Sequence, residues 1–282
     1  MSNYILFLLL LGSGITLGID TGNKTQLPEI EENVDGDKVD RWRIIGGLSA
    51  SEGDFPYQIL LLNHGRATCG GSFVIVNGSH FVVTAAHCVW DVGNPSRYTV
   101  VAGEVDRTTI SGNEQTRRVT QVIRHSWYSS WSFANDIALL VIDEPFTVNN
   151  FVSPIPLPEK GQKTRGEVIV SGFGRTTVFN RRLSPILMQA QLTVLDDNPC
   201  RLLFVYPTMK WVFSSMLCAW NVIGGRGSCN GDSGGPLRAV NGNYLAAMVS
   251  WGTICAAPLQ PGVYTEVSYF VDWIEQQVAT IV

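Results

Sequence analysis

The chain has 282 residues, 45% hydrophobic and 16% charged, with 28 glycines and a formal net charge of −4. This balance excludes a disordered chain and suits one or two globular domains rich in short strands and turns. Residues 44–282 carry 16 basic and 17 acidic side chains with no long basic run, which excludes nucleic acid or a heparin-like polyanion as the main ligand.

In chain order, the first feature is an apolar run from Ile5 to Leu11 with a weaker extension to Leu17. It is shorter than the roughly 20 residues that span a bilayer. Residues 1–18 therefore read as a signal peptide cut near Gly18, not as a membrane anchor, and the protein is expected to be secreted and extracellular. Residues 19–43 hold seven acidic and four basic residues without an apolar period, and read as a polar prosegment. Many short β-favouring runs follow, punctuated by turn residues: Tyr57–Leu62, Ser72–Val76, Phe81–Thr84, Tyr98–Ala102, Ile137–Ile142, Glu167–Ser171, Met188–Leu195, Tyr244–Ser250 and Gly262–Val267. Strands at such spacing indicate a sandwich or barrels. Asn77-Gly78 between two apolar runs is a hairpin signal, and Asn77-Gly78-Ser79 is also a glycosylation sequon, as is Asn23-Lys24-Thr25. Phe270, Ile274, Val278 and Ile281, spaced by three or four, predict a terminal amphipathic helix. No internal repeat of a propeller or solenoid is present.

Three segments carry chemistry. Cys229-Asn230-Gly231-Asp232-Ser233-Gly234-Gly235-Pro236 places a hydroxyl between glycines, which let backbone amides approach a substrate closely. A serine hydroxyl is a weak nucleophile and needs an adjacent base and a group that orients that base. Thr84-Ala85-Ala86-His87-Cys88 offers the base, and Asn135-Asp136 at the head of the apolar run Ile137-Ala138-Leu139-Leu140 offers the orienting carboxylate. Taken singly, these are a core histidine beside a cysteine, a turn and a glycine-rich loop. All three in the order His, Asp, Ser argue for covalent catalysis. Six cysteines in a secreted chain are expected to pair, although spacing alone leaves their connectivity open.

With these motifs, residues 44–282 resemble the chymotrypsin/trypsin-like serine proteases, through Ile44-Ile45-Gly46-Gly47, Cys69-Gly70-Gly71-Ser72, Ser250-Trp251-Gly252 and Pro261-Gly262-Val263-Tyr264-Thr265 as well. The resemblance implies an all-β fold of two six-stranded antiparallel barrels with a C-terminal helix. It implies a serine endopeptidase with His87, Asp136 and Ser233 as triad, the Gly231 and Ser233 amides as oxyanion hole, and Ser250 bracing the aspartate. It selects the disulfides Cys69–Cys88, Cys200–Cys218 and Cys229–Cys255. It further implies a zymogen, activated when cleavage of Arg43–Ile44 frees an Ile44 amine to pair with Asp232. Protein or peptide substrates, a trypsin-like activating protease and protein inhibitors are the implied partners, and the enzyme is expected to act as a monomer.

Specificity follows from the positions that match the family's substrate pocket. Its floor is Gly227, where trypsin-like members hold an aspartate; Gly252 and Gly262 form the walls beside Trp251, and Phe133 matches the wall of the neighbouring subsite. An open, uncharged slot favours large apolar or aromatic side chains through burial. Ile254 at the mouth keeps an elastase-like preference for smaller residues as an alternative, and Arg226, beside the floor, is expected to face solvent. Phe173 stands where the family usually has tryptophan, and the segment between Cys200 and Cys218 is unusually apolar, so that it extends the substrate groove or offers a partner surface. No cofactor or catalytic metal is required; Glu104 and Glu114 match carboxylates of the family's calcium loop, but Ser111 replaces another acidic position. The competing class is a catalytically silent homologue that only binds.

Overall fold

The computed structural model describes residues 47–177, 182–205 and 211–281. The expected leader and prosegment, the Arg43–Ile44 bond and both sequon residues of the prosegment side, Asn23 and Thr25, lie outside them. A two-residue strand, β1 (Leu48–Ser49), opens the described chain. Six strands then build the first barrel: β2 (Gln58–Asn63), β3 (Arg66–Val76), β4 (Ser79–Thr84), β5 (Tyr98–Ala102), β6 (Gln115–Arg124) and β7 (Ala138–Ile142). They close in the order β2-β3-β4-β7-β6-β5, all antiparallel. The second barrel takes β8 (Glu167–Gly172), β9 (Met188–Leu195), β10 (Met216–Trp220), β11 (Pro236–Ala239), β12 (Leu245–Trp251) and β13 (Gly262–Glu266). Its order is β9-β10-β13-β12-β11-β8, closed by the β8–β9 pairing, with β1 added along β9. Helix α1 (Asp197–Val205) precedes β10, and α2 (Val271–Ala279) ends the fold. This is the chymotrypsin fold of two six-stranded antiparallel barrels.

The apolar runs are continuous because several strands are buried on both faces. In β7, Ala138 and Leu140 fill the first barrel with Ile59, Phe73, Val82 and Tyr98, whereas Leu139 faces a second cluster. That cluster gathers Val74, Phe81 and Val83 of the first barrel, Leu245 and Met248 of β12, Phe173, and Phe270, Ile274 and Val278 at the C-terminus. Successive side chains on a strand point to opposite faces, so one strand serves both cores. The second barrel is filled by Val168, Val170, Leu192, Leu237, Val249 and Tyr264. Phe173 is buried in the shared cluster, so the smaller ring is packed there.

The Asn77-Gly78 hairpin joins β3 to β4, with Val76 opposite Ser79. Both turn residues have positive φ, 51° and 80°, the type I′ geometry that matches strand twist. The chain between Cys200 and Cys218 is divided by its structure. It enters through α1 and buries Phe204 and Val212, whereas Leu202, Trp211 and Phe213 are exposed. Its residues 206–210, including Tyr206, are outside the described part.

Candidate active site

Each motif sits at the end of a strand, where the chain turns between the barrels. His87 lies on a short 3-10 turn, Ala86–Cys88, directly after β4. Cys88 is bonded to Cys69 on β3, which ties that turn to the barrel wall. Asp136 enters just before β7 through a loop in which Asn135 adopts φ 55° and donates its side-chain N–H to the Trp127 carbonyl at 3.0 Å.

Asp136 is fully buried and fully engaged. Oδ2 lies 2.8 Å from His87 Nδ1 and accepts the Ser250 hydroxyl at 2.5 Å, and Oδ1 accepts the His87 backbone N–H at 3.0 Å. Its own carbonyl accepts the Thr265 hydroxyl at 3.0 Å. Ser250 and Thr265 stand on β12 and β13, so the second barrel grips a carboxylate that the first barrel supplies. Thr265 is the contact that sequence reasoning missed. It lies within the Pro-Gly-Val-Tyr-Thr motif, but nothing local shows which group 129 residues away it will meet.

Ser233 is brought to the same place through its backbone. The Gly70 N–H on β3 donates to the Ser233 carbonyl at 2.8 Å, and Cys88 Sγ touches that oxygen at 3.6 Å. Gly234 has φ 75°, and a Cβ there would overlap Thr84 Oγ1 at the end of β4 and the Gly70 carbonyl. A glycine is therefore required for the serine loop to lie against the strand that carries His87. Among the described residues, neither the Gly231 nor the Ser233 backbone N–H has an acceptor, and the Ser233 hydroxyl makes no hydrogen bond. Catalytic hydrogen bonds are often loose until substrate tightens them.

Asp232, next to the serine, points inward. It is fully buried, and its oxygens accept the Gly174 N–H at 2.7 Å and the Cys229 N–H at 2.9 Å. Burial outweighs these two donors and pushes its carboxyl up to about 6. Its carboxylate occupies the space that side chains on Gly172 and Gly174 would take.

Beside Ser233 opens a cavity of about 110 Å3, lined by Gly227, Ser228, Trp251, Gly252, Gly262 and Tyr264 among others. No aspartate or glutamate lines it; the one charged residue on its edge, Arg226, is exposed. Ser228 Oγ and Tyr264 Oη, 3.1 Å apart, pair with each other at its base. Burial holds the Tyr264 hydroxyl well above its usual range, so it stays neutral. The Cys229–Cys255 disulfide joins the serine loop to the opposite wall, and Cys200–Cys218 ties α1 to β10; no described cysteine is free.

The trypsin family model matches residues 44–274. The chain belongs to the trypsin family of serine proteases. Its relatives agree: it is 42% identical to trypsin-1 of Astacus astacus over 82% of this chain and 98% of that protein. It is 38% identical to coagulation factor IX of Oryctolagus cuniculus over 89% and 88% of the two chains. With cationic trypsin-3 of Rattus norvegicus it shares 36% identity over 98% of each. The protein is accordingly a serine endopeptidase of this family, and the silent homologue is not the favoured reading. Gly227 lines the cavity beside Ser233, and a Cβ there would lie 3.5 Å from Ala256, an ordinary contact that leaves room for a side chain. Phe133 stands between His87 and the cluster of Leu195, Phe204, Val212 and Met216, its ring edge-on to the imidazole.

Among the described residues, the one group of three side chains with metal-ligating atoms in reach of each other is Cys69, His87 and Cys88. Its two sulfurs are bonded to each other, so it offers no thiolate.

Proposed function

We propose that the protein is a secreted zymogen which, once cut at Arg43–Ile44, cleaves peptide bonds after large apolar or aromatic residues. The observation that carries the specificity is the pocket beside Ser233, which presents no carboxylate to a lysine or arginine. A buried basic side chain without a partner would cost several kcal/mol, roughly the scale of an unpaired buried ion. Gly252 and Gly262 leave the slot open, which supports large residues over the elastase-like alternative; Ile254, exposed at the rim, does not plug it.

In this reading His87 removes the proton of Ser233 Oγ as that oxygen attacks the scissile carbonyl, then gives it to the leaving amine. Asp136 holds the tautomer with Nδ1 protonated and stabilises the imidazolium. The two unengaged amides of Gly231 and Ser233 receive the oxyanion, each contributing about 2.7 to 4 kcal/mol. Water then hydrolyses the acyl-enzyme with His87 as base. Side chains, these backbone amides and water supply the whole reaction. Activation is the pairing of the freed Ile44 amine with Asp232. The Arg43–Ile44 bond follows an arginine, which this pocket does not favour, so a trypsin-like protease performs the cut. The exposed Asn77 in its hairpin is the glycosylation site.

A fluorophosphonate that reacts with activated serines tests the catalytic part. Protein cut at Arg43 is expected to be labelled on Ser233, with labelling lost in His87→Ala and weak in the uncut chain. Absence of labelling in the cut protein sinks the reading.

The acidic pair Glu104 and Glu114 is the place where a cation fits. Glu104 Oε1 is buried without a hydrogen-bond partner among the described residues, and burial together with the nearby Glu114 raises its carboxyl. Glu114 also accepts from Ser111 and Gly112, which closes the loop around the pair. Calcium held there would raise the melting temperature of Ser233→Ala protein relative to a chelator-treated sample. An equal melting temperature in both contradicts it.

A further inference from the structure

Among the described residues, Phe133 is the one bulky aromatic residue near the site whose backbone lies in the left-handed region, with φ 56°. A large side chain rarely occupies that region, and strain of this kind persists only where the surroundings hold it. Here the loop holds it. The Phe133 N–H donates to the Ser129 carbonyl at 2.8 Å, the Ser129 N–H donates to the Ala134 carbonyl at 3.0 Å, and Asn135 adds a second left-handed residue.

The conformation places the ring against His87, with centroids 5.7 Å apart and planes at 80°. On its other side the ring packs on the cluster of Leu195, Phe204, Val212 and Met216. Among the described residues, the imidazole is otherwise held by a single side-chain hydrogen bond, Nδ1 to Asp136. One hydrogen bond leaves the ring free to pivot about its Nδ1 corner, and that pivot moves Nε2. An edge-on neighbour backed by a packed cluster restricts it.

We propose that Phe133 is a positioning residue for His87, holding the imidazole where Nε2 meets Ser233, in addition to walling the adjacent substrate subsite. This rests on the triad reading above. The two roles separate on substrates that have nothing to place in the adjacent subsite.

The test uses activated protein carrying Phe133→Gly, Phe133→Asn or Phe133→Tyr. Glycine and asparagine accept the left-handed backbone and so keep the loop conformation without the ring; tyrosine keeps the ring. The readouts are the inactivation rate with phenylmethylsulfonyl fluoride, and kcat and KM for an acetylated single-residue ester. The expected result is a loss of about ten- to hundredfold in inactivation rate and kcat for the glycine and asparagine variants. KM stays near the wild-type value, thermal melts remain cooperative, and tyrosine recovers most of the rate. Wild-type rates on these minimal reagents, with loss confined to longer peptides, overturn the proposal and leave Phe133 a wall. A tyrosine variant as slow as the glycine one overturns it too. An inert wild-type protein would instead overturn the triad reading, and this inference with it.

Discussion

Ser250 illustrates how one hydroxyl links the two barrels: it donates to a carboxylate that has no exposure to water. Ser250→Ala removes that donor and leaves Asp136 Oδ2 with His87 alone. A hydrogen bond to a charged group contributes about 1.5 to 3 kcal/mol, so kcat/KM is expected to fall at least about tenfold; steady-state kinetics at pH 8 would show it. Gly252 and Gly262 differ in consequence. A side chain at Gly252 meets nothing within 4 Å, so Gly252→Val should fold normally and close the slot. The expected outcome is a fall of at least about tenfold in the preference for phenylalanine over alanine before the cut. A Cβ at Gly262 would lie 2.9 Å from Tyr264 Oη, so the same change there disturbs the Ser228–Tyr264 pair and costs stability as well. At this scale most of the candidate site was legible, because His87, Asp136 and Ser233 each sit in a local motif. Thr265 and the Thr84 contact of Gly234 were not, since both depend on approach between distant strands.

At the scale of elements, legibility followed long apolar runs rather than burial alone: β10, Met216–Trp220, is buried and was not read as a strand. The strands Tyr98–Ala102 and Met188–Leu195 appear with the bounds their apolar runs predict. Strand β6, Gln115–Arg124, did not show in the sequence: most of its side chains are polar, and only Val119 and Val122 are buried. Strand β11 begins with Pro236 and is only four residues long, and α1 lies in a segment that reads as an apolar loop. The predicted terminal helix is present as Val271–Ala279, with Phe270 capping it and Ile281 just beyond its end. This helix is joined to the first barrel through His125, whose ring lies 5.6 Å from Phe270 and 5.1 Å from Trp273. His125 Nδ1 accepts the Trp127 N–H at 3.2 Å, which requires the neutral ring, and burial lowers its pKa from 6.5. A lowered folded pKa means that this contribution is complete above the unfolded value near 6.5 and is lost as pH falls through the folded one. Ser233→Ala protein should therefore melt at a lower temperature at pH 5 than at pH 7.5, and His125→Phe should remove part of that dependence. An unchanged pH dependence in His125→Phe would contradict the assignment.

For the whole molecule, the proposed pairing of Asp232 with the Ile44 amine would connect stability to activation. Its carboxyl is raised from 3.8 to about 6 by burial, so the neutral acid is favoured in the fold. The associated stability is present below 3.8 and is lost as pH rises through about 6, a change of about 3 kcal/mol at most. An uncut chain, made with Arg43→Gln, should lose stability over that window in urea titrations. Cut protein, in which the proposed pairing with the Ile44 amine would neutralise the carboxylate, should not; equal behaviour of the two forms would contradict the proposed switch. The proposed switch rests in the sequence on resemblance alone, because neither the depth of Asp232 nor the two amides it accepts has a local signal. The proposed specificity likewise joins parts far apart in the chain: Gly227, Gly252 and Gly262 line one cavity only after the second barrel closes. Its most direct test is a peptide-library cleavage profile of the protein cut at Arg43. Cleavage after Tyr, Phe, Leu and Trp is the predicted result, and a dominant preference for Arg or Lys would contradict it.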